Sequence, residues 1–251
     1  MANKRTEQII QEDQYSFPYH YIPSDVNGNF KLFVFWSWGI NYLLTMEFLI
    51  ERLKEEDFVK LIDVGCGDGR FIRELSNHLL GKKLIGVDIS ERAINLAKAL
   101  NPDLEFRRLD VLQSDLPNDF DIVTLIEVLE HIPIDDVQPF LSSIADLQKS
   151  GGRLYITVPH SNRTTQRKHY QHFNSESINE HLQCNYKIRE FAYFDKKTWY
   201  LKFLRGIMKN RFFILRHART LNLIYTYYKN HIFPCSDESE CARLFVIATK
   251  K

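Results

Sequence analysis

Three carboxylates and a glycine-rich turn are spaced as a nucleotide-like ligand requires. Val59 to Val64, mostly apolar and β-favouring, runs straight into Gly65-Cys66-Gly67-Asp68-Gly69, and a helical pattern (Phe71, Ile72, Leu75, Leu79) follows at once. Strand, glycine turn and helix offer backbone N–H groups to a ligand, with no Cβ in the way at the glycines. The nicotinamide version of this turn wants its third glycine three positions after the second; here it comes after two. A second strand, Lys83 to Asp88, ends in an acid 19 residues after Gly69, where a ribose diol would sit. A third, Leu104 to Leu109, runs into Asp110, and a fourth, Phe120 to Ile126, into Glu127. Three successive strands thus finish in a carboxylate at one edge of a parallel sheet, the edge where such folds bind ligands.

A second group of residues could do the chemistry. Glu127-Val128-Leu129-Glu130-His131 follows the fourth strand, and His160, His169 and His172 fall within 13 residues after the fifth. A histidine near its free pKa is the natural base for a hydroxyl acceptor. His169 or His172 is expected to be the base or substrate orienter, with His131 as rival. His160, at the end of the fifth strand, is a substrate-binding candidate. So are His20 and Tyr19, in the aromatic stretch Tyr15 to Pro23, whose prolines break any helix.

The elements that must position these residues alternate as α/β units. Phe30 to Leu53 reads as one long helix; its uncharged run between Lys31 and Glu47 is 15 residues, short of the roughly 20 that span a membrane. Ser90 is the expected N-cap of a helix from Glu91 to Leu100, ended by Asn101-Pro102. Further helices are expected at Ile134 to Gln148 and from a Ser175 cap to Leu182. Strands are expected at Arg153 to Val158, Tyr186 to Phe194 and Arg243 to Ala248.

IDVGCGDGR, GVDIS, LD at 109–110 and FDIVTLIEVLEH resemble the successive motifs of class I S-adenosylmethionine-dependent methyltransferases, over roughly residues 55–160. The resemblance implies a Rossmann-like α/β fold, a seven-stranded sheet of order 3-2-1-4-5-7-6 with strand 7 antiparallel. Residues 1–54 would form an N-terminal aromatic and helical extension, 55–195 and 239–251 the core, and 196–238 an insertion or lid. It further implies Gly65, Cys66, Gly67 and Gly69 around the methionine part of the cofactor, and Asp63 anchoring the loop or receiving the amino group. Asp88 would hold the ribose hydroxyls, and Asp110 the adenine amino group, with Ile89 and Val111 on the ring faces. Glu127 would face the cofactor.

The ExxEH pattern resembles ubiquinone-type O-methyltransferases and small-RNA 3′-terminal 2′-O-methyltransferases. In these, two glutamates and the histidine (here Glu127, Glu130 and His131) can hold a divalent metal, Mg²⁺, Mn²⁺ or Zn²⁺, against vicinal oxygens of the acceptor. Lys168 to Phe173, KHYQHF, resembles the H-x-x-H-F segment of small-molecule and glycan methyltransferases. The chain lacks the Asn/Asp-Pro-Pro-Tyr/Phe motif of amino-group methylation after strand four, and has no cysteine suited to C5-pyrimidine chemistry there. It reads HFNSES where the RNA enzymes show a FEWTR-like segment. Oxygen is the expected acceptor atom, on a small molecule such as a sugar or a lipid-linked or isoprenoid precursor. The alternatives are metal-assisted RNA 2′-O-methylation and a non-catalytic S-adenosylmethionine-binding or scaffold subunit.

Composition sets looser bounds. Apolar content of 44% and charged content of 26% are ordinary for a globular protein, and a net charge of +1 selects no partner. Four cysteines without CxxC or zinc-ligand spacing imply a reduced compartment. MANKRTEQIIQEDQ has no apolar signal-peptide core, so a cytoplasmic location is expected, peripheral at a membrane in one variant. From Lys196 to Pro234 there are nine Lys or Arg and no Asp or Glu, interleaved with aromatics. That pattern suits an anionic membrane surface, a nucleic-acid backbone, or a lid whose aromatics face the core.

Overall fold

The computed structural model describes residues 15, 18–21, 24–26, 29–31, 36–113, 116–200 and 217–251. A two-stranded hairpin, β1 (Ser24–Val26) and β2 (Asn29–Lys31), precedes the long helix α1 (Trp36–Lys54). The helix expected from Phe30 therefore starts six residues later, because Phe30 is paired in the hairpin with Asp25. The side chains of Trp36 and Trp38 lie outside the described residues.

The main sheet contains β3 (Lys60–Val64), β4 (Lys83–Asp88), β5 (Glu105–Arg108), β6 (Phe120–Ile126), β7 (Gln148–Pro159), β8 (Tyr186–Phe194), β9 (Pro234–Cys235) and β10 (Arg243–Lys250). Their order is β5-β4-β3-β6-β7-β10-β8-β9, with β3 to β7 parallel and β10 antiparallel to both its neighbours. This is the expected order with one addition. The two-residue β9 pairs with the outer edge of β8, covering the end of a strand that would otherwise offer unpaired backbone groups.

The parallel strands are apolar on both faces because helices cover both. On one face α1, α2 (Arg70–His78), α3 (Glu91–Leu100) and α6 (Ala218–His231) bury Leu44, Leu49, Leu53, Ile72, Leu75, Ile94 and Tyr228. On the other, α4 (Val137–Leu147) and α5 (Ser175–Leu182) bury Phe140, Leu141, Ile144, Ile178 and Leu182. Ser90 caps α3 as expected, its Oγ accepting from Ala93 N at 3.1 Å. For α5 the cap is Asn174, not Ser175: its Oδ1 accepts from Ser177 N, and Ser177 Oγ accepts in return from Asn174 N.

The basic and aromatic stretch falls partly outside the described residues, at 201–216. Within them, Tyr225, Tyr228 and Phe233 are buried in the core, whereas Trp199 is 82% exposed. Among the described residues no helix is long and apolar enough to cross a membrane.

Candidate active site

The carboxyl ends of the parallel strands open into a cavity of about 850 Å³. Asp88, Ile89, Asp110, Val111 and Gly65 line one end of it; Glu130, His131, Arg163, Gln166, Lys168 and His169 line the other, and Glu127 borders it too.

At the first end, β3 passes through the glycine loop into α2. Gly65 and Gly69 both have φ of +79°, a left-handed conformation that a side chain would strain. A Cβ on Gly65 would meet Val128 Cγ2 at 2.5 Å, so this glycine lets the loop press on the turn after β6. A Cβ on Gly69 would meet Phe106 at 2.6 Å, which makes Gly69 a packing position rather than part of the cavity wall. Cys66 is buried beneath the loop, its Sγ near Gly86; burial pushes its thiol well up and it does not line the cavity. Gly67 lies under Tyr15 and His20, both of which line the cavity. His20 Nδ1 stands 2.9 Å from the buried Asp68, and its ring stacks on Tyr42. Through these residues the N-terminal extension reaches the cavity wall; the side chain of Tyr19 lies outside the described residues.

Asp88 accepts from Gly67 N at 3.0 Å and from Ser90 N at 2.9 Å. Each carboxylate oxygen has a further lone pair, so the group can hold the loop and still accept from a diol. Asp110 accepts from Leu112 N at 3.1 Å, and Ile89 is 59% exposed beside it, with Leu109, Val111 and Leu112 completing an apolar slot.

Asp63 lies one layer below. It is buried, and its Oδ1 accepts from Thr124 Oγ1 at 2.6 Å. Burial raises its carboxyl to about 7, with the Thr124 bond opposing and the Asp88 charge adding. The folded state therefore holds a proton that the unfolded chain releases near pH 4, and stability falls as pH rises from about 4 to about 7. The contribution is on the order of 4 kcal/mol across that window. Asp63→Asn keeps an acceptor for Thr124 and should flatten this slope, raising the melting temperature at pH 8 more than at pH 4.5. Equal shifts at both pH values would refute the account.

At the other end, Glu127 leaves β6 with φ of +56°, its N–H donating to Thr157 O at 2.9 Å. Its Oε2 accepts from Arg243 Nη2 at 3.0 Å. Arg243, which the sequence reading missed, also stands 3.9 Å from Asp195, which accepts in turn from the Tyr228 hydroxyl of α6 at 2.9 Å. The signal was available: β10 is antiparallel, so its first residue falls at the edge where the parallel strands end.

Glu130 is 1% exposed and its Oε2 has no hydrogen-bond partner. Burial, and then the Glu127 charge, push its carboxyl well above the ordinary range. Burial and the Lys168 charge lower His131 to about 4, and burial, then His131, carry His169 far below its free value. Single ligand atoms of Glu130, His131 and His169 lie within 4.8 Å of one another. Of the expected metal set, Glu130 and His131 fall in this cluster and His169 joins them; Glu127 gives its Oε2 to Arg243 and keeps a buried Oε1 without a hydrogen-bond partner. Mixed oxygen and nitrogen donors around an orphaned buried carboxylate oxygen fit a divalent cation.

Two expected site residues stand elsewhere. His172 is behind the cavity wall, its Nε2 2.8 Å from His169 Nδ1. His160 is 2% exposed and away from the cavity, its Nε2 on Glu238 Oε1 at 3.0 Å and its Nδ1 accepting from Asn162 N. These bonds tie the end of β7 to the loops at 162 and 238. Tyr15, Tyr42, Thr45, Arg163, Gln166 and Lys168 join the cavity wall without having been singled out from sequence.

Comparison with known proteins bears on the fold. A family model described as a methyltransferase domain matches residues 62–154. The mitochondrial ubiquinone biosynthesis O-methyltransferase of Schizosaccharomyces pombe is 34% identical over 140 residues, 49% of this chain and 50% of that protein. The chain spans about half the length, or less, of the curated relatives it matches. Among solved structures, the N-methyltransferase NodS of Bradyrhizobium japonicum with S-adenosylhomocysteine aligns at TM-score 0.56 and 14% identity, covering 84% of this chain and 86% of that one. The [4+2]-cyclase SpnF aligns at TM-score 0.65 and 16% identity, covering 99% and 96%. The matched segment runs from within β3 into β7 and resembles a methyltransferase domain, and the aligned structures share this chain's fold.

Proposed function

We propose that the protein is an O-methyltransferase whose acceptor presents two vicinal oxygens beside Glu130, His131 and His169. The observation that carries this reading is the convergence of those three side chains at one end of a cavity whose other end holds Asp88 and Asp110. S-adenosylmethionine, when bound, supplies an electrophilic methyl group; a divalent cation, when bound, makes a coordinated hydroxyl more acidic. The chain's own residues do the positioning. Asp88 accepts from the ribose hydroxyls, Asp110 from the adenine amino group, and Ile89 and Val111 cover the ring. Glu130, His131 and His169 fix the acceptor's oxygens toward the methyl, so that the displacement needs little further reorganisation.

The acceptor body lies against Val128, Ile132, Pro133 and Phe140, all on the cavity wall. That apolar lining suits an aromatic ring or an isoprenoid chain better than a sugar, and the name of the S. pombe relative points the same way. An RNA 3′ end also offers a vicinal diol, and Arg163 and Lys168 on the same wall suit its phosphates, but Val128, Ile132, Pro133 and Phe140 offer nothing to a sugar-phosphate body.

The test is transfer of labelled methyl to a catechol carrying a short isoprenoid tail, with a single-hydroxyl phenol of the same tail as comparison. Label should enter the catechol, fall to background with EDTA and return with Mn²⁺. Equal, chelator-insensitive labelling of both would remove the metal, leaving His131 or His169 as simple base. No labelling of either, in protein that binds S-adenosylhomocysteine, would overturn the acceptor class.

A further inference from the structure

We infer that His172 is a positioning residue: it holds His169 in the Nδ1–H tautomer, so that His169 aims an Nε2 lone pair, beside that of His131, toward Glu130. The inference rests on the proposed role of that site. It follows from which atoms can carry a proton.

A backbone carbonyl can only accept. Arg163 O lies 3.1 Å from His172 Nδ1, so that nitrogen is the N–H, and the Nε2 of the neutral ring is a lone pair. This Nε2 stands 2.8 Å from His169 Nδ1, which must therefore donate, leaving His169 Nε2 without a proton. On the opposite side Lys168 O, 2.9 Å from His131 Nδ1, imposes the same tautomer on His131. The His131 and His169 rings meet edge to face, centroids 4.9 Å apart. Two carbonyls and one relaying imidazole thus leave both rings a free Nε2 lone pair, in a cluster with Glu130 whose ligand atoms lie within 4.8 Å of one another. Outer partners of this kind hold a ligating histidine's ring orientation and tautomer.

The segment is held firmly enough for the relay to work. Tyr170 N donates to Glu130 O at 2.8 Å, Ser161 N to Phe173 O at 2.8 Å, and Phe173 N to Pro159 O at 3.2 Å. Phe173, next to His172, is fully buried.

Long-range ¹H–¹⁵N correlation on protein labelled at histidine, free of metal and near neutral pH, reads the tautomers directly. His131, His169 and His172 should all be protonated at Nδ1. His172→Leu should return His169 to the Nε2–H form and weaken Mn²⁺ binding, measured by calorimetry, by roughly 10- to 100-fold. His172→Gln keeps an amide oxygen that can accept from His169 Nδ1–H, and should restore most of both. An Nε2–H signal for His169 in the wild type, or no change of tautomer in His172→Leu, would overturn the inference. The expected tautomers in a protein that takes up no Mn²⁺ would uphold the positioning role and sink the metal-assisted reading instead.

Discussion

Glu130→Gln is expected to lower turnover on the catechol probe by about 10²-fold or more, the cost of misplacing an acceptor that this carboxylate helps to orient. It should do so without destabilising the fold. Glu130 is buried, has one oxygen with no partner, and its carboxyl is raised by burial and then by the Glu127 charge. Glutamine has nearly the same shape and brings no charge to this buried position. The melting temperature should therefore stay within a degree or two, while Mn²⁺ no longer stabilises the protein. A variant that keeps activity within threefold would show that this carboxylate takes no part. A variant that loses activity and melts far lower would show a structural role alone.

Asp88→Ala is expected to weaken S-adenosylhomocysteine binding by about 100-fold. Hydrogen bonds to a charged group contribute about 1.5–3 kcal/mol each; losing two costs at least about 3 kcal/mol, and each 1.4 kcal/mol is tenfold. Asp88 also holds Gly67 N and Ser90 N, so the substitution loosens the loop as well. Ser90→Ala separates the two effects. It removes the cap on Ala93 N and should cost about 1 kcal/mol of stability. Its affinity, read by calorimetry, should stay near wild type. If Ser90→Ala weakens binding as much as Asp88→Ala does, loop rigidity rather than direct contact governs affinity.

The pattern of residues was enough to read the sheet and one end of the cavity. Parallel strands buried on both faces are runs of apolar residues, and an acid closing such a run stands out. Asp88, Asp110 and Glu127 were therefore legible as residues of one edge, and that edge lines the cavity. The glycine loop was legible too, though not which of its residues face inward: Cys66 and Gly69 pack against the sheet, and only contacts with Gly86 and Phe106 reveal it.

The acceptor end depends on how distant segments pack. His160, His169 and His172 are alike in sequence, yet one is bound to Glu238, one lines the cavity and one stands behind it. That Glu127 gives one of its oxygens to Arg243, 116 residues later, could not be read from the ExxEH pattern. Tyr15 and His20 reach the cavity across the glycine loop from more than 40 residues upstream. Local pattern reports which backbone a segment prefers and which face it buries. Which atoms of a side chain meet which others depends on the whole packed arrangement, because long-range partners decide where each polar group finds its hydrogen bond.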